Sequence, residues 1–355
     1  MSSSLGNRLK VQLFGQSHSR AVGVVIDGLP AGETIDMGRV EAFLQRRAGG
    51  KNAWSTRRAE PDLPSVASGL VGDTTCGAPL CATFENTDTR SGDYDELRAV
   101  PRPSHADYTA FVKHSGKNDV NGGGHFSARL TLPLCFAGAV CLQLLERRGV
   151  AIDAHIHSIA GIADEPFNPV AANDTPVGTD FPTLSTAAAE RMIHAIEAAA
   201  AEGDSLGGVV ECGVWGLPAG LGDPMFDSLE SRLAHALFAI PAVKGVEFGA
   251  GFEAAHMRGS QNNDPFYMDN GTVRTKTNNS GGIQGGISNG MPVIFRSAFK
   301  PTPSISKAQQ SVNLLTAEDV TLNVKGRHDP CVVPRAVPCV IAAAAIVMLD
   351  IILGG

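Results

Sequence analysis

No Cys-x-x-Cys pair occurs in this sequence, and its seven cysteines form an odd set scattered from Cys76 to Cys339. A disulfide framework and a cysteine-ligated zinc site are therefore excluded as organising principles, and reduced thiols in a cytoplasmic protein are expected. Aromatic residues are scarce at 6% and charged residues reach only 18%, against 43% hydrophobic residues. Disorder is excluded by that balance, and a large core is available. A net charge of −7 argues against non-specific nucleic-acid binding and leaves room only for a local basic pocket. The first 15 residues contain no apolar stretch of the kind a secretory signal needs. The most apolar run, residues 337–353, is interrupted by Pro338 and Asp350 and lacks a basic flank; it reads as a core helix, not a membrane span. No Walker loop or H-E-x-x-H is present, and no G-x-G-x-x-G follows a strand into a helix. The last absence counts against a Rossmann dinucleotide site.

What the chain does have is glycine, 40 residues in 355, which implies tight turns and backbone that can approach a ligand closely. Residues 9–14 and 21–26 read as strands, with Ser17 and His18 in the corner between them. Asp36 is placed to cap a helix over 37–47, whose buried face is Val40, Phe43 and Leu44. Residues 65–72 and 79–84 read as short strands. From 85 to 124 the chain is polar and without periodicity, which in a compact domain points to function. Asn121-Gly122-Gly123-Gly124 then leads into a helix to about 148, with Ser127 at its start, an arrangement suited to seating an anion. Residues 150–159 read as a strand with His155 and His157 on one face. A metal there would want a third ligand, and solvent-facing histidines are the simpler expectation. Helices over 186–202 and 226–238 alternate with strands over 208–215 and 243–248. This order loosely repeats that of the first half and suggests an internal duplication within a single domain. Residues 271–290 carry a glycine-rich stretch expected to be mobile or wrapped round a ligand.

The loops expose His18, His105, Ser17, Ser127, Arg47, Arg129, Arg327, Lys300 and Asp329. Arginines and a lysine set among glycines in a net-acidic protein imply a multiply charged anion, most simply a phosphate ester. A histidine beside such an anion should hold its proton more tightly and can serve as a general acid. Lys300-Pro301-Thr302-Pro303-Ser304 could clasp a phosphate or be a surface linker. Gly326-Arg327-His328-Asp329-Pro330-Cys331 could be a reactive loop on a buried mount or a surface ion pair.

Several longer motifs stand in a fixed order. They are Gly15-Gln16-Ser17-His18-Ser19, Asp27-Gly28-Leu29-Pro30-Ala31-Gly32, Arg102-Pro103-Ser104-His105-Ala106-Asp107-Tyr108, residues 122–129, residues 241–249, Arg258-Gly259-Ser260-Gln261-Asn262, residues 281–288 and residues 326–331. Together they resemble the chorismate synthase family over residues 5–353. The resemblance implies an α+β fold, a β-α-β sandwich of two similar halves, usually assembled as a homotetramer. It implies a lyase of aromatic amino-acid (shikimate pathway) biosynthesis. Such an enzyme converts 5-enolpyruvylshikimate 3-phosphate to chorismate by 1,4-anti elimination, with reduced FMN required although no net redox change occurs.

By matching position, His18 resembles the residue that protonates the reduced flavin, and His105 the one that protonates the departing phosphate. Asp329 resembles the aspartate that helps the flavin N5 take the ring proton. Ser17, Arg47, Ser127, Arg129 and Arg327 match substrate-anion ligands. His125, Phe126, Ser127, Pro241, Ala242, Gly285, Lys300, Pro301, Thr302, Pro303, Ser304 and Arg327 match flavin contacts. The chain departs from many relatives at His125-Phe126-Ser127, where Arg-Ser-Ser is common, at Leu130 or Thr131, where a glutamate is common, at Ala53 in place of an arginine, and at Ile341 in place of a glutamate. NADPH-dependent reduction of its own flavin is not implied, so an external flavin reductase or reductant is expected as a partner, with no nucleic acid, membrane or metal. A flavin-dependent oxidoreductase and a catalytically silent flavin- or phosphate-binding homologue are the alternatives. Consumption of reduced flavin would mark the first, and absence of phosphate release the second.

Overall fold

The computed structural model describes residues 3–50, 54, 60–87, 96–172, 174–324 and 329–354. Arg327 and His328, together with Lys51, Ala53 and Arg57, lie outside the described residues. The helices in chain order are α1 (Met37–Arg47), α2 (Asp107–Lys113), α3 (Thr131–Glu146), α4 (Thr186–Ala201), α5 (Leu229–Phe238), α6 (Gly259–Asn262) and α7 (Val333–Gly354).

Two five-stranded antiparallel sheets enclose a helical layer. The first sheet runs Ser4–Leu5, Lys10–Gly15, Ala21–Asp27, Leu80–Glu85, Ser65–Ser68 in spatial order. The second runs Val243–Phe248, Val293–Phe299, Gly208–Trp215, Ala151–Ile159, Ile162–Ala163. Period-two patterning sets which face turns inward: Val22, Val24, Ile26, Leu80, Ala82 and Phe84 are buried from one sheet, Ala154, Ile156, Val210, Cys212 and Val214 from the other. Helix α3 lies against the first sheet and α7 against the second, and the two pack on each other. Ala128–Glu146, which is α3 with the turn before it, and α7 are each long and apolar enough to cross a membrane, yet 89% of each apolar stretch is buried inside the protein. A helix apolar on every side belongs in a core of this kind.

The two central helices run in the same direction. Cys135 meets Cys339 at 3.8 Å between sulfurs, and Gly138 meets Ala342 so closely that a Cβ on the glycine would fall 2.3 Å from Ala342 Cα. Only glycine permits that approach. Near the far end of α7, the buried Asp350 accepts backbone N–H bonds from Asn7, Arg8 and Leu9 at 2.8, 2.7 and 2.6 Å, and a further one from Arg232 Nη2. The polar interruption of the apolar run is thus the anchor of the first long strand. None of the seven cysteines is joined to another.

Three expectations change. The polar region after residue 85 contains α2, beginning two residues past His105. The glycine-rich stretch folds on itself: Ile283–Gln284 pairs with Ile287–Ser288, and Asp264 accepts bonds from Thr277, Asn279 and Ser280. His155 is not solvent-facing but fully buried. Strand register places Glu211 directly opposite it, Arg296 opposite Glu211, and Glu247 opposite Arg296, a cross-strand row of alternating charge. His155 bonds Asp164 and Glu211, each at 3.0 Å. A third potential ligand for the His155–His157 pair therefore exists in Glu211, but its oxygens are already engaged by His155, the Phe167 N–H and Arg296.

Candidate active site

The corner between the first two long strands of the first sheet carries Ser17, fully buried, and His18. Its backbone is tied to the glycine turn by a bond from Ser17 N–H to Gly124 C=O at 3.1 Å. Gly122, Gly123 and Gly124 adopt φ of 60°, 83° and 54°, a left-handed run that side chains with a Cβ resist. Space adds a second reason. A Cβ on Gly122 would lie 2.5 Å from Ser17 Oγ and 2.7 Å from His18 Nε2, and one on Gly123 would lie 3.4 Å from His105 Nε2. The bare backbone of this turn therefore separates the two histidines, and both rings face it.

His105 sits on the loop before α2. Its Nδ1 is 2.6 Å from Asp107 Oδ1, and Asp107 is gripped by Arg102 through Nε at 2.8 Å, Nη2 at 2.9 Å and the backbone N–H at 3.0 Å. Arg102 also donates to Ser304 Oγ at 3.1 Å, and Lys300 Nζ donates to Ser104 C=O at 2.6 Å. These two bonds join the 300–304 segment to the His105 loop. Ala242, at φ 75°, accepts from Lys300 N–H at 2.9 Å, which brings Pro241 and Ala242 to the same place. Burial, then the nearby Lys244 ammonium, lowers the proton affinity of Lys300. Two cations held together like this favour an anion between them. Thr302 Oγ1 is buried without a hydrogen-bond partner.

Arg47 and Arg129, expected to bind a substrate anion, meet at one carboxylate. Asp62 accepts from Arg47 Nη1 at 3.0 Å and from Arg129 Nη1. Arg47 also donates to Thr131 Oγ1 at 2.9 Å. Arg129 donates to Asn86 Oδ1 at 2.8 Å and to Glu85 C=O. Burial, followed by the charges of Arg335 and Arg129, lowers the pKa of Arg47. Arg335 bridges onward: its Nε donates to Arg47 C=O at 2.9 Å and its Nη1 to Asp329 Oδ2 at 2.6 Å. Asp329 lies just before Pro330, whose carbonyl accepts from Leu206 N–H, while the neighbouring Ser205 Oγ donates to Thr302 C=O. A continuous hydrogen-bonded circuit therefore links the C-terminal loop, the 300–304 segment and the His105 loop.

Ser127 ends the glycine turn and caps the 3₁₀ turn leading into α3, accepting from Arg129 N–H. His125 is committed to the scaffold, with Nδ1–H on Gly15 C=O at 2.8 Å and Nε2 accepting from Ser3 Oγ at 2.9 Å; Phe126 beside it is 37% exposed. Gly285, at φ 63°, faces open space, and its turn bonds to Leu221 and Leu229. Among the described residues no hydrogen bond joins that turn to the histidine loops. Four residues with clear geometry had no expected role: Arg102, Asp107, Asp62 and Arg335. For Asp107 the signal was its place two residues after His105 in the same motif.

The fold is an α+β sandwich whose loops bring arginines, a lysine and two histidines near a side-chain-free glycine turn. Comparison with known proteins narrows the class. The chain belongs to the chorismate synthase family, whose model matches residues 9–353. A chorismate synthase from Dehalococcoides mccartyi is 46% identical over 355 residues, covering 99% of this chain and 97% of the relative. One from Thermococcus gammatolerans is 46% identical over 347 residues, covering 97% and 96%. A crystal structure of chorismate synthase superimposes with a TM-score of 0.77 at 25% identity, covering 98% of this chain and 93% of the other.

Proposed function

We propose that the protein converts 5-enolpyruvylshikimate 3-phosphate to chorismate by 1,4-anti elimination of phosphate and a ring hydrogen, with reduced FMN as a required cofactor. One observation carries the reading: in a chain matched to the family over almost its whole length, the glycine turn lies between His18 and His105 with Ser17 beneath it. The buried, unpartnered Thr302 Oγ1 and the cationic pair Lys244–Lys300 fit a flavin phosphate, and the bare backbone at Gly123 fits the approach of a flat ring. Reduced FMN, when bound, would lend an electron as phosphate leaves and recover it when hydrogen is lost.

The remaining chemistry belongs to the chain. Arg47 and Arg129 hold the substrate's anionic groups, with Ser17 and Ser127 as hydroxyl partners and Arg327 as a further cation. His105 delivers a proton from Nε2 to the departing phosphate, and His18 holds a proton on the opposite side of the turn. Asp329, steadied by Arg335, would help the flavin N5 take the ring proton. An external reductant supplies the reduced flavin, and a cytoplasmic setting accords with seven unpaired cysteines.

Anaerobic assay of phosphate release from the enolpyruvyl substrate, with and without reduced FMN, tests the proposal. Release only with reduced flavin, and without its stoichiometric oxidation, is the expected result. Oxidation in step with turnover would instead favour an oxidoreductase, and no release would favour a silent binding protein. Assembly into a homotetramer is part of the same proposal. Phe252, Phe266 and Met268 are 80%, 63% and 65% exposed, an apolar load suited to subunit contact. Light scattering should give four chains per particle, and a monomer at micromolar concentration would overturn it.

A further inference from the structure

Among the described residues, His105 and His155 face carboxylates, and their surroundings act in opposite senses. His155 stands between Asp164 and Glu211. Burial opposes its charged form, but the two carboxylates outweigh burial and its pKa is raised. His105 has one carboxylate, Asp107, and burial, the Arg102 guanidinium and the Lys300 ammonium act against that single partner, so its pKa is lowered. Both rings are desolvated, and the difference lies in the second carboxylate at His155 and in the cations Arg102 and Lys300 at His105. Arg102 makes a two-pronged bond to Asp107 and also brings Nη2 to within 3.1 Å of His105 Nδ1. A ring nitrogen cannot accept from Arg102 while its own hydrogen points to Asp107. The 2.6 Å contact to Asp107 Oδ1 identifies Nδ1–H as the donor, with Arg102 Nη2 a close positive neighbour from which Nδ1 does not accept. Asp107 is buried and its charge is saturated by Arg102, so it can orient the ring without trapping a second proton there.

We propose that Asp107, clamped by Arg102, is a positioning residue for the reaction: it fixes His105 with hydrogen on Nδ1 and turns Nε2 to the Gly122–Gly124 turn, where the exchangeable proton is used. The inference rests on the reading of His105 as the acid that serves the leaving phosphate. In that step the Nε2–H bond breaks as an O–H bond forms on phosphate, the N–H electron pair stays on the ring, and Nδ1–H remains with Asp107. A carboxylate that only oriented histidine would tend to keep the imidazolium charged. Burial and Arg102 together offset that tendency while leaving the orientation, so the ring can both give up the proton and regain one. Among the described residues, the titratable and charged groups facing the ring are Asp107 from α2, Arg102 from its own loop, Lys300 from the 300–304 segment and His18 across the glycine turn. An anion bound at the turn raises the proton affinity of His105 and supplies the loaded acid.

The Asp107→Asn variant keeps an acceptor near Nδ1 but removes the charge. The acid form of His105 is needed, so activity falls as pH rises through its pKa. Loss of the Asp107 charge lowers that pKa further, and the alkaline limb of the kcat profile should move to lower pH. At pH 8, kcat should fall by on the order of 10²-fold with KM changed less than about threefold, and Asp107→Glu should recover part of the loss. An unshifted limb with near-normal kcat would overturn the proposal. A His105→Ala variant that stays active would remove the parent reading instead, so the two failures are distinguishable. Nitrogen-15 NMR of the wild-type imidazole at pH 8 needs no variant that folds: hydrogen on Nδ1 is expected, and hydrogen on Nε2 with a bare Nδ1 overturns the assignment.

Discussion

Alanine at position 105 is expected to lower turnover by about 10²- to 10⁴-fold at saturating substrate and reduced flavin, the usual range for loss of a general acid. The lower figure corresponds to about 2.7 kcal/mol of transition-state stabilisation. Burial of the ring, with 18% of its side chain exposed, means that bulk solvent replaces the lost proton donor poorly. Alanine at position 18 should fall in the same range, because His18 occupies the mirror position across the Gly122 backbone. The measurement is single-turnover phosphate release under anaerobic conditions. Near-normal rates in both variants would sink the assignment of acid roles, whatever the family.

The largest effect on stability is expected far from that site. Asp350 is buried and gathers three consecutive backbone donors and one guanidinium. Asp350→Ala would strand all four at once, and removing one partner of a buried charge pair costs about 3–5 kcal/mol. A native protein holds only about 5–15 kcal/mol in total, so the variant should unfold at a much lower urea concentration. Asp350→Asn should be milder, since its amide oxygen still accepts from the N–H groups, but Arg232 loses its counter-charge. An unchanged urea midpoint for the alanine variant would show that the strand is anchored by packing alone.

Helix α1 was legible because its signals are local: Asp36 caps it by accepting from Arg39 N–H, and Val40, Phe43 and Leu44 fall on one face. The inward strands were legible for the same reason, through alternation. Helix α2 was not, since seven residues beginning with Asp-Tyr-Thr carry no long apolar period. The hairpin of Gln309–Asn313 with Glu318–Leu322 also escaped notice: its strands are mostly polar, and its apolar partners Leu97 and Val100 lie some two hundred residues away. The burial of His155 depends on Glu211, 56 residues on, which only strand register brings opposite. In the site, motif order pointed to His18, His105 and Asp329, but Asp62 and Arg335 act through partners distant in sequence. Asp62 reaches Arg129 across 67 residues, and Arg335 reaches the Arg47 carbonyl across 288.

The common direction of α3 and α7 has an electrical consequence. Antiparallel neighbours would cancel their peptide dipoles, whereas these two add, and each contributes the equivalent of roughly half a positive charge at its N-terminus. Those ends, at Thr131 and Val333, lie beside Arg47 and Asp329 respectively. If the substrate is phosphorylated, as proposed, part of the attraction for it is carried by the main chain. It persists when any single arginine is replaced, so a series of Arg→Ala variants should approach a floor of residual anion affinity that no side chain owns.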